Sequence, residues 1–526
     1  MADELTTVAE ESVRGGFFLF SGTAIATLIL AISSIIIARL IGPELYGQYT
    51  LAFVTPSLLF IFADLGIDQG ILKFTAEHRS RNDEKSVAKM IKHGLIIRAS
   101  LGLTLFIISY VLAEQFATLL LQRPELAFYV RIASIAILFQ TVFTTAISAF
   151  VGIDKAEYNA ITNNIQAAAK TIISILLVLS GFAVTGAILG HVVSYFVGAV
   201  TGIALLIIIL RKQQTKTTDQ SFKHNAKVLI AYGAPLYVFA LLAGFIPFIQ
   251  NILLAYFTTD GAIGNYRAAA NFAVLLTVIA FPITTALLPA FSKLSPAPDK
   301  QAKNFFKLAN KYTAILVIPA TILIIAYSSQ IVQIIYGLTF TSAPLYLAMY
   351  CLLYLLVGIG YLTLGSFFNG FGKTRITLKM GLVTFTTLLV LSVPLTMFYG
   401  VEGLIAAFLL SNAAGTLFGS FIARKQFNVE FATPSLVRIY AISGLAMIIP
   451  LLIEMFLPIN NLLQLIIGLS IFLFTYITLI PFTKVVTAYE IKQVGDVLKK
   501  IRLLAPLSTI IIRYLQLLKA KSDSKE

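Results

Sequence analysis

Cysteine is almost absent from this chain of 526 residues: the single Cys351 sits in an apolar run, which excludes a disulfide framework and a cysteine-based metal site. The four histidines, His78, His93, His191 and His224, have no metal-ligand spacing, so no metal site is expected. Charge is scarce too. Only 12% of residues are charged, against about 25% in a soluble domain, and the mean hydropathy is +0.89. With 58% of its residues hydrophobic, the chain has to face lipid as well as its own core. Acidic residues are the rarer sign, 24 against 39 basic ones. No carboxylate is clearly placed at mid-membrane, so ion coupling has little support in the sequence.

Long apolar runs fill the rest. The first, 15–38, matches the ~20 residues needed to cross hydrocarbon. It follows Asp3, Glu4, Glu10 and Glu11 rather than a basic stretch and has no small-x-small cleavage site, so it reads as a retained helix, not a signal peptide. Others follow at 46–72, 94–112, 126–151, 160–180, 184–210, 226–256, 261–290, 311–328, 345–368, 376–399, 402–423, 437–457 and 461–483. The expectation is an all-α polytopic membrane protein of about fourteen transmembrane helices.

If the N-terminus is inside, 32 of the 39 basic residues fall on cytoplasmic segments, and only Arg39 and Arg123 at external loops. That asymmetry predicts cytoplasmic termini at both ends. The net charge of +15 is then a topology signal, and no nucleic-acid partner is expected. In the basic tail, 484–526, Val494, Val497, Leu498 and Ile501 form an apolar stripe beside Lys499, Lys500 and Arg502. This reads as an amphipathic helix on the anionic lipids of the cytoplasmic face, with a partner-binding helix as the alternative.

An offset of 217 residues aligns the chain with itself: Ala38 meets Ala255, Gly47 meets Gly264, Tyr49 meets Tyr266, Gly186 meets Gly403, and the pair Gly198/Gly202 meets Gly415/Gly419. Any one match could be ordinary helix packing through small residues. The shared offset instead suggests two parallel six-helix repeats, 1–212 and 213–425, followed by two extra helices in 426–483. Parallel repeats of this kind build transporters whose site lies between the halves. The external loops are too short to carry an active site, so neither an enzyme nor a cofactor is expected.

Intramembrane charges cost about 2.5–3.5 kcal/mol on insertion scales and usually face a cavity or a partner. Lys170 lies roughly 18 Å into its helix, too deep to reach headgroups. Asn159, Asn163, Gln166 and Ser174 share its face, which reads as a wet, positively charged cavity or as a packing stripe held by hydrogen bonds. Arg267 and Asn271, four apart, project from one helix face, and Arg39 ends the first helix as a headgroup anchor or a cavity residue. Arg98, Arg131 and Lys379 lie nearer helix ends and are expected to snorkel. Asp64 and Asp68 are the possible ion-coupling residues, though capping, or pairing with Lys73, is the simpler role. The stretch GFGKT at 370–374 has the Gly-Lys-Thr of a phosphate loop, but Phe367 stands where its first glycine belongs and no strand precedes it.

The motifs ARLIGPELYGQY at 38–49, ADLGI at 63–67, GNYRAA at 264–269 and LPAFSKL at 288–294 resemble those of the oligosaccharide flippases of polysaccharide biosynthesis. These belong to the superfamily that also holds multidrug exporters and lipid II flippases. Arg39, Gly42, Pro43 and Gly47 match the first motif, and Gly264 and Tyr266 the later one. Where relatives often carry charge, this chain has FIQNILLAYF, with Gln250 and Asn251. The resemblance implies a V-shaped, two-lobe transporter of the plasma membrane that carries a polyprenyl-diphosphate-linked oligosaccharide outward. Lys170, Arg267 and Arg39 would then neutralise the diphosphate and Asn163, Gln166 and Asn271 bind sugar hydroxyls, with glycan polymerases or glycosyltransferases as partners. The alternatives are an organic-cation exporter with an acidic cavity, a lipid II-type flippase, or a membrane enzyme or scaffold of glycan synthesis.

Overall fold

The computed structural model describes residues 2–211, 221–294, 300–456 and 460–483, with a few positions between 485 and 518. The expected tail helix at 494–502 lies outside the described residues. Helix dominates, and no β-strand occurs among the described residues. The chain divides into two compact units, Met1–Ala268 and Ala269–Glu526, with the boundary inside one helix.

The first unit holds α1 (Ala2–Ala52), α2 (Val54–Phe62), α3 (Ile67–Ser80), α4 (Glu84–Val111), the single turn α5 (Ala113–Gln115), α6 (Ala127–Gly152), α7 (Ala156–Leu177), α8 (Ala183–Arg211), α9 (Phe222–Phe257) and the start of α10 (Asp260–Ser292). The second holds the rest of α10 with α11 (Lys300–Ala326), α12 (Ser328–Tyr336), α13 (Ala343–Leu355), α14 (Leu364–Gly370), α15 (Thr374–Phe427), α16 (Thr433–Phe456) and α17 (Asn461–Leu479).

Among the described residues, eight helices are long and apolar enough to cross a membrane, nine if the bent pair α13–α14 counts as one. Three of them, at Phe18–Phe62, Ala156–Arg211 and Thr374–Phe427, each carry two of the expected runs. The expected Gly-Pro turn is a kink inside α1, made by Gly42 at φ 77°, a conformation that only glycine adopts cheaply. The run expected as one helix over 46–72 is broken between α2 and α3, because Leu65 and Gly66 both take positive φ. The run at 345–368 likewise bends by 47° between α13 and α14.

Burial is inverted relative to a soluble protein. Ile25, Leu28 and Ile32 on α1 are about half exposed, while Ser33, Thr141, Thr162, Ser174 and Ser194 are sealed inside. Exposed apolar faces on this scale mark a lipid-facing surface. With lipid outside, close packing and hydrogen bonds between helices have to hold the bundle. The glycines serve that purpose: a side chain on Gly198 would strike Phe143, and one on Gly202 would strike Ala146. In the second unit Gly415 faces Thr384 and Gly419 faces Met380, so the same close approach recurs there.

Candidate functional site

In the first unit, α1 and α2 face α9 and the first turns of α10 across a cavity of about 170 Å³. Apolar Phe53, Val54, Leu58 and Phe248 line it together with Thr50, Ser57, Asn251 and Arg267. Arg267 reaches it because α10 starts at Asp260 and presents its second turn inward, one position after the buried Tyr266. Its Nη2 donates to Asn251 Oδ1 at 3.2 Å. No carboxylate pairs with it among the described residues, so the guanidinium keeps donors for an anion. The uncharged Asn251 is therefore the group that aims this arginine.

Beside the cavity, the Phe53 ring stacks on His191 with centroids 4.3 Å apart. His191 Nδ1 shares a hydrogen bond of 2.8 Å with the Tyr49 hydroxyl. Tyr49 lies within electrostatic reach of Arg267, and His191 within reach of Lys170. Tyr49 and His191 thus form a hydroxyl–imidazole pair inside the bundle. Lys170 has no hydrogen bond and no acidic partner among the described residues and is only partly buried. An amine left unpaired inside an apolar bundle is costly unless the space it faces admits water or an anion.

The polar stripe on α7 separates into two roles. Asn159 donates to the Ile147 carbonyl at 3.0 Å, and Gln166 Nε2 donates to Ser194 Oγ at 2.9 Å, so both are engaged in packing. Asn163 donates back to Asn159 within its own helix. Neither these residues nor Lys170 line the Arg267 cavity. Arg39 is exposed one turn before the kink, and Asn271 lies one turn beyond Arg267 on α10, partly buried.

Arg98 corrects one expectation. It does not snorkel: it is 1% exposed, with Nε and Nη2 donating to the two oxygens of Asp68 at 3.2 and 3.0 Å. Thr145 and Thr144 on α6 complete the arrangement: Nε and Nη2 also donate to their hydroxyls, at 3.1 and 2.8 Å, and Thr145 donates to Asp68 at 2.8 Å. The forked guanidinium can satisfy a buried carboxylate through two bonds, which outweighs a reach to the headgroups. Lys73, the partner expected for the aspartates, instead lies over the rings of Phe74 and Tyr232 at 4.8 and 4.2 Å. Arg131 pairs with Glu114 at 3.4 Å and Lys379 is exposed.

The two repeated turns meet. A side chain on Gly47 would collide with the Asp260 carbonyl, and one on Gly264 with the Pro43 carbonyl. Arg123 bolts this contact, its Nε on Asp260 Oδ1 at 2.9 Å and its Nη2 on the Thr258 carbonyl at 2.8 Å. Past the far end of α2, Gly66 in the α2–α3 turn and Gly233 on α9 touch backbone to backbone. The cavity therefore lies between two glycine contacts. No group of histidine, cysteine, aspartate or glutamate able to hold a metal occurs among the described residues.

Residues 12–295 match the family described as polysaccharide biosynthesis protein, more than half of the chain, and the protein belongs to that family. Over 462 residues it is 21% identical to the lipid II flippase MurJ of Bacillus subtilis, covering 80% of this chain and 84% of the relative. It is 23% identical to the probable low-salt glycan biosynthesis flippase Agl15 of Haloferax volcanii, covering 84% and 90%. In fold it is similar to a solved structure of lipid II flippase MurJ in an inward closed conformation, with a TM-score of 0.69, 18% identity, and coverage of 87% of this chain and 98% of that one.

Proposed function

We propose that this multi-pass membrane protein is a flippase that carries a polyprenyl-diphosphate-linked oligosaccharide from the cytoplasmic to the outer leaflet of the plasma membrane by alternating access, with both termini cytoplasmic. One observation carries the reading: the interior of the first unit holds two cations without carboxylate partners, Arg267 lining a cavity and Lys170 near His191. Arg267 offers a bidentate fork to phosphate oxygens and Lys170 a point charge. The apolar wall of Phe53, Leu58 and Phe248 gives sugar rings or isoprene a surface to lie on. Membership of the family and its likeness to a lipid II flippase and to a probable glycan biosynthesis flippase support a lipid-linked saccharide as cargo.

The test uses vesicles reconstituted with the protein and a fluorescent polyprenyl-diphosphate oligosaccharide, reading transfer between leaflets. Lys170→Glu and Arg267→Glu each abolish transfer while the protein still inserts. Unchanged transfer in both variants removes the two cations from the mechanism. An organic-cation exporter would instead bind cations and lose binding in Asp64→Asn.

A further inference from the structure

Four rings gather where the end of α1 meets α8. Tyr49 lies in the last turn of α1 and Phe53 at its junction with α2, while His191 and Tyr195 stand one turn apart on α8. The Phe53 ring stacks on the imidazole with centroids 4.3 Å apart, Tyr49 meets Phe53 edge-on at 5.4 Å, and Tyr195 lies 5.3 Å from the imidazole. Tyr49, Phe53 and Tyr195 rest on a sealed base that includes Ala52 and Ile188, yet all four rings are partly open. Phe53 belongs both to this group and to the wall of the Arg267 cavity.

Packing alone does not account for the histidine. Tyr49 engages Nδ1 at 2.8 Å, while Nε2 has no hydrogen-bond partner among the described residues and is not sealed. A histidine that only fills space inside a bundle has both ring nitrogens matched by the protein. Whichever tautomer the Tyr49 bond selects, Nε2 is left as a free donor or a free acceptor. A pyranose suits this combination: its C–H face lies on aromatic rings, and its hydroxyls both give and take hydrogen bonds. An isoprene chain would use the rings and leave Nε2 unmatched, and a phosphate would go to the guanidinium of Arg267, whose paired donors match its oxygens. We propose, resting on the flippase reading, that His191 is the specificity-determining residue for the saccharide. Phe53 and Tyr195 supply the ring surface, and Tyr49 is the positioning residue that fixes the imidazole. The site is then divided: Arg267 holds the diphosphate and His191 reads the sugar next to it.

Two fluorescent ligands test this on the full-length protein in lipid nanodiscs: a polyprenyl diphosphate, and the same lipid carrying two linked N-acetylglucosamine units. Each is titrated to a dissociation constant, and the readout is the ratio of the two. The native protein should bind the glycosylated lipid more tightly, and His191→Ala should cut that preference about tenfold, the worth of one hydrogen bond with its ring contact. His191→Gln, which keeps an amide donor and acceptor, should restore part of the preference. Tyr49→Phe should lower it in part, because the imidazole turns freely once Nδ1 is released. Arg267→Gln should weaken both ligands and leave their ratio. A misfolded variant loses both ligands together, so it does not mimic a change in ratio. Native binding of both lipids without preference, or an unchanged ratio in His191→Ala, overturns the saccharide site and leaves the flippase reading standing. Native binding of neither lipid overturns both.

Discussion

Replacing Gly264 by alanine adds one methyl group where there is no room for it. The new Cβ meets the Pro43 carbonyl, a backbone atom on a kinked helix, so no rotamer change can relieve the clash. Overpacking of this kind costs about 1–3 kcal/mol. The cost falls on the closed contact alone, so the closed-to-open ratio drops by about 5–150-fold. Gly261 is an internal control: on the same helix, one turn earlier, its Cβ would meet nothing within 4 Å. Gly261→Ala adds its methyl group in the first turn of α10 without a clash. The assay places a reporter at Ala255→Cys, a site 0% exposed, in a Cys351→Ser background that removes the single native cysteine. A water-soluble maleimide then reads how often the contact opens. Labelling should accelerate by about 5–150-fold in Gly264→Ala and stay level or slow in Gly261→Ala. Equal rates in the two variants would show that the glycine contact does not govern closure.

Two further outcomes follow from charges outside this contact. Asp83 caps α4 by accepting from the Ser86 amide at 3.2 Å, and the Ser86 hydroxyl, with that amide, holds its carboxyl below the usual carboxylate range. Asp83→Ala should cost about 0.5–2 kcal/mol in a denaturation midpoint. Because the folded value is the lower one, the native cap contributes above the unfolded value, near pH 4, and fades as pH falls through the folded value; an acid-independent difference between the two proteins would refute this. In the second unit, Lys311 Nζ pairs with Glu490 at 2.5 Å and donates to the Val485 carbonyl at 3.2 Å, with both side chains nearly sealed. Lys311→Ala, which strands a buried carboxylate, should destabilise by about 3–5 kcal/mol and hasten proteolysis near 485–490, whereas Lys311→Met with Glu490→Leu should recover most of the loss.

The helical, membrane-spanning class was legible because apolar runs longer than the bilayer is thick leave little choice of structure. Breaks were harder: the α2–α3 turn needs positive φ at Leu65 as well as Gly66, and a leucine gives no warning of that. The lone amine of Lys170 and the inward Arg267 were readable from depth and helical spacing. Arg98 was misread because depth alone does not reveal a partner thirty residues away: Asp68 and Arg98 are joined by tertiary packing, with two threonines of α6 as the third side. Gln166 shows the converse, since its place on the stripe was visible but its bond to Ser194 on α8 was not. Tyr49 and His191, 142 positions apart, carry no sequence signal of their pairing.

Pro43 and Asp260 are 217 positions apart, and so are Gly47 and Gly264. Each glycine lodges against the carbonyl equivalent to its partner's, the reciprocal pattern of an isologous contact. The match is incomplete: proline stands on one side and, on the other, an aspartate that recruits Arg123. The glycines mirror each other, but the bolt that fastens them sits on one side alone.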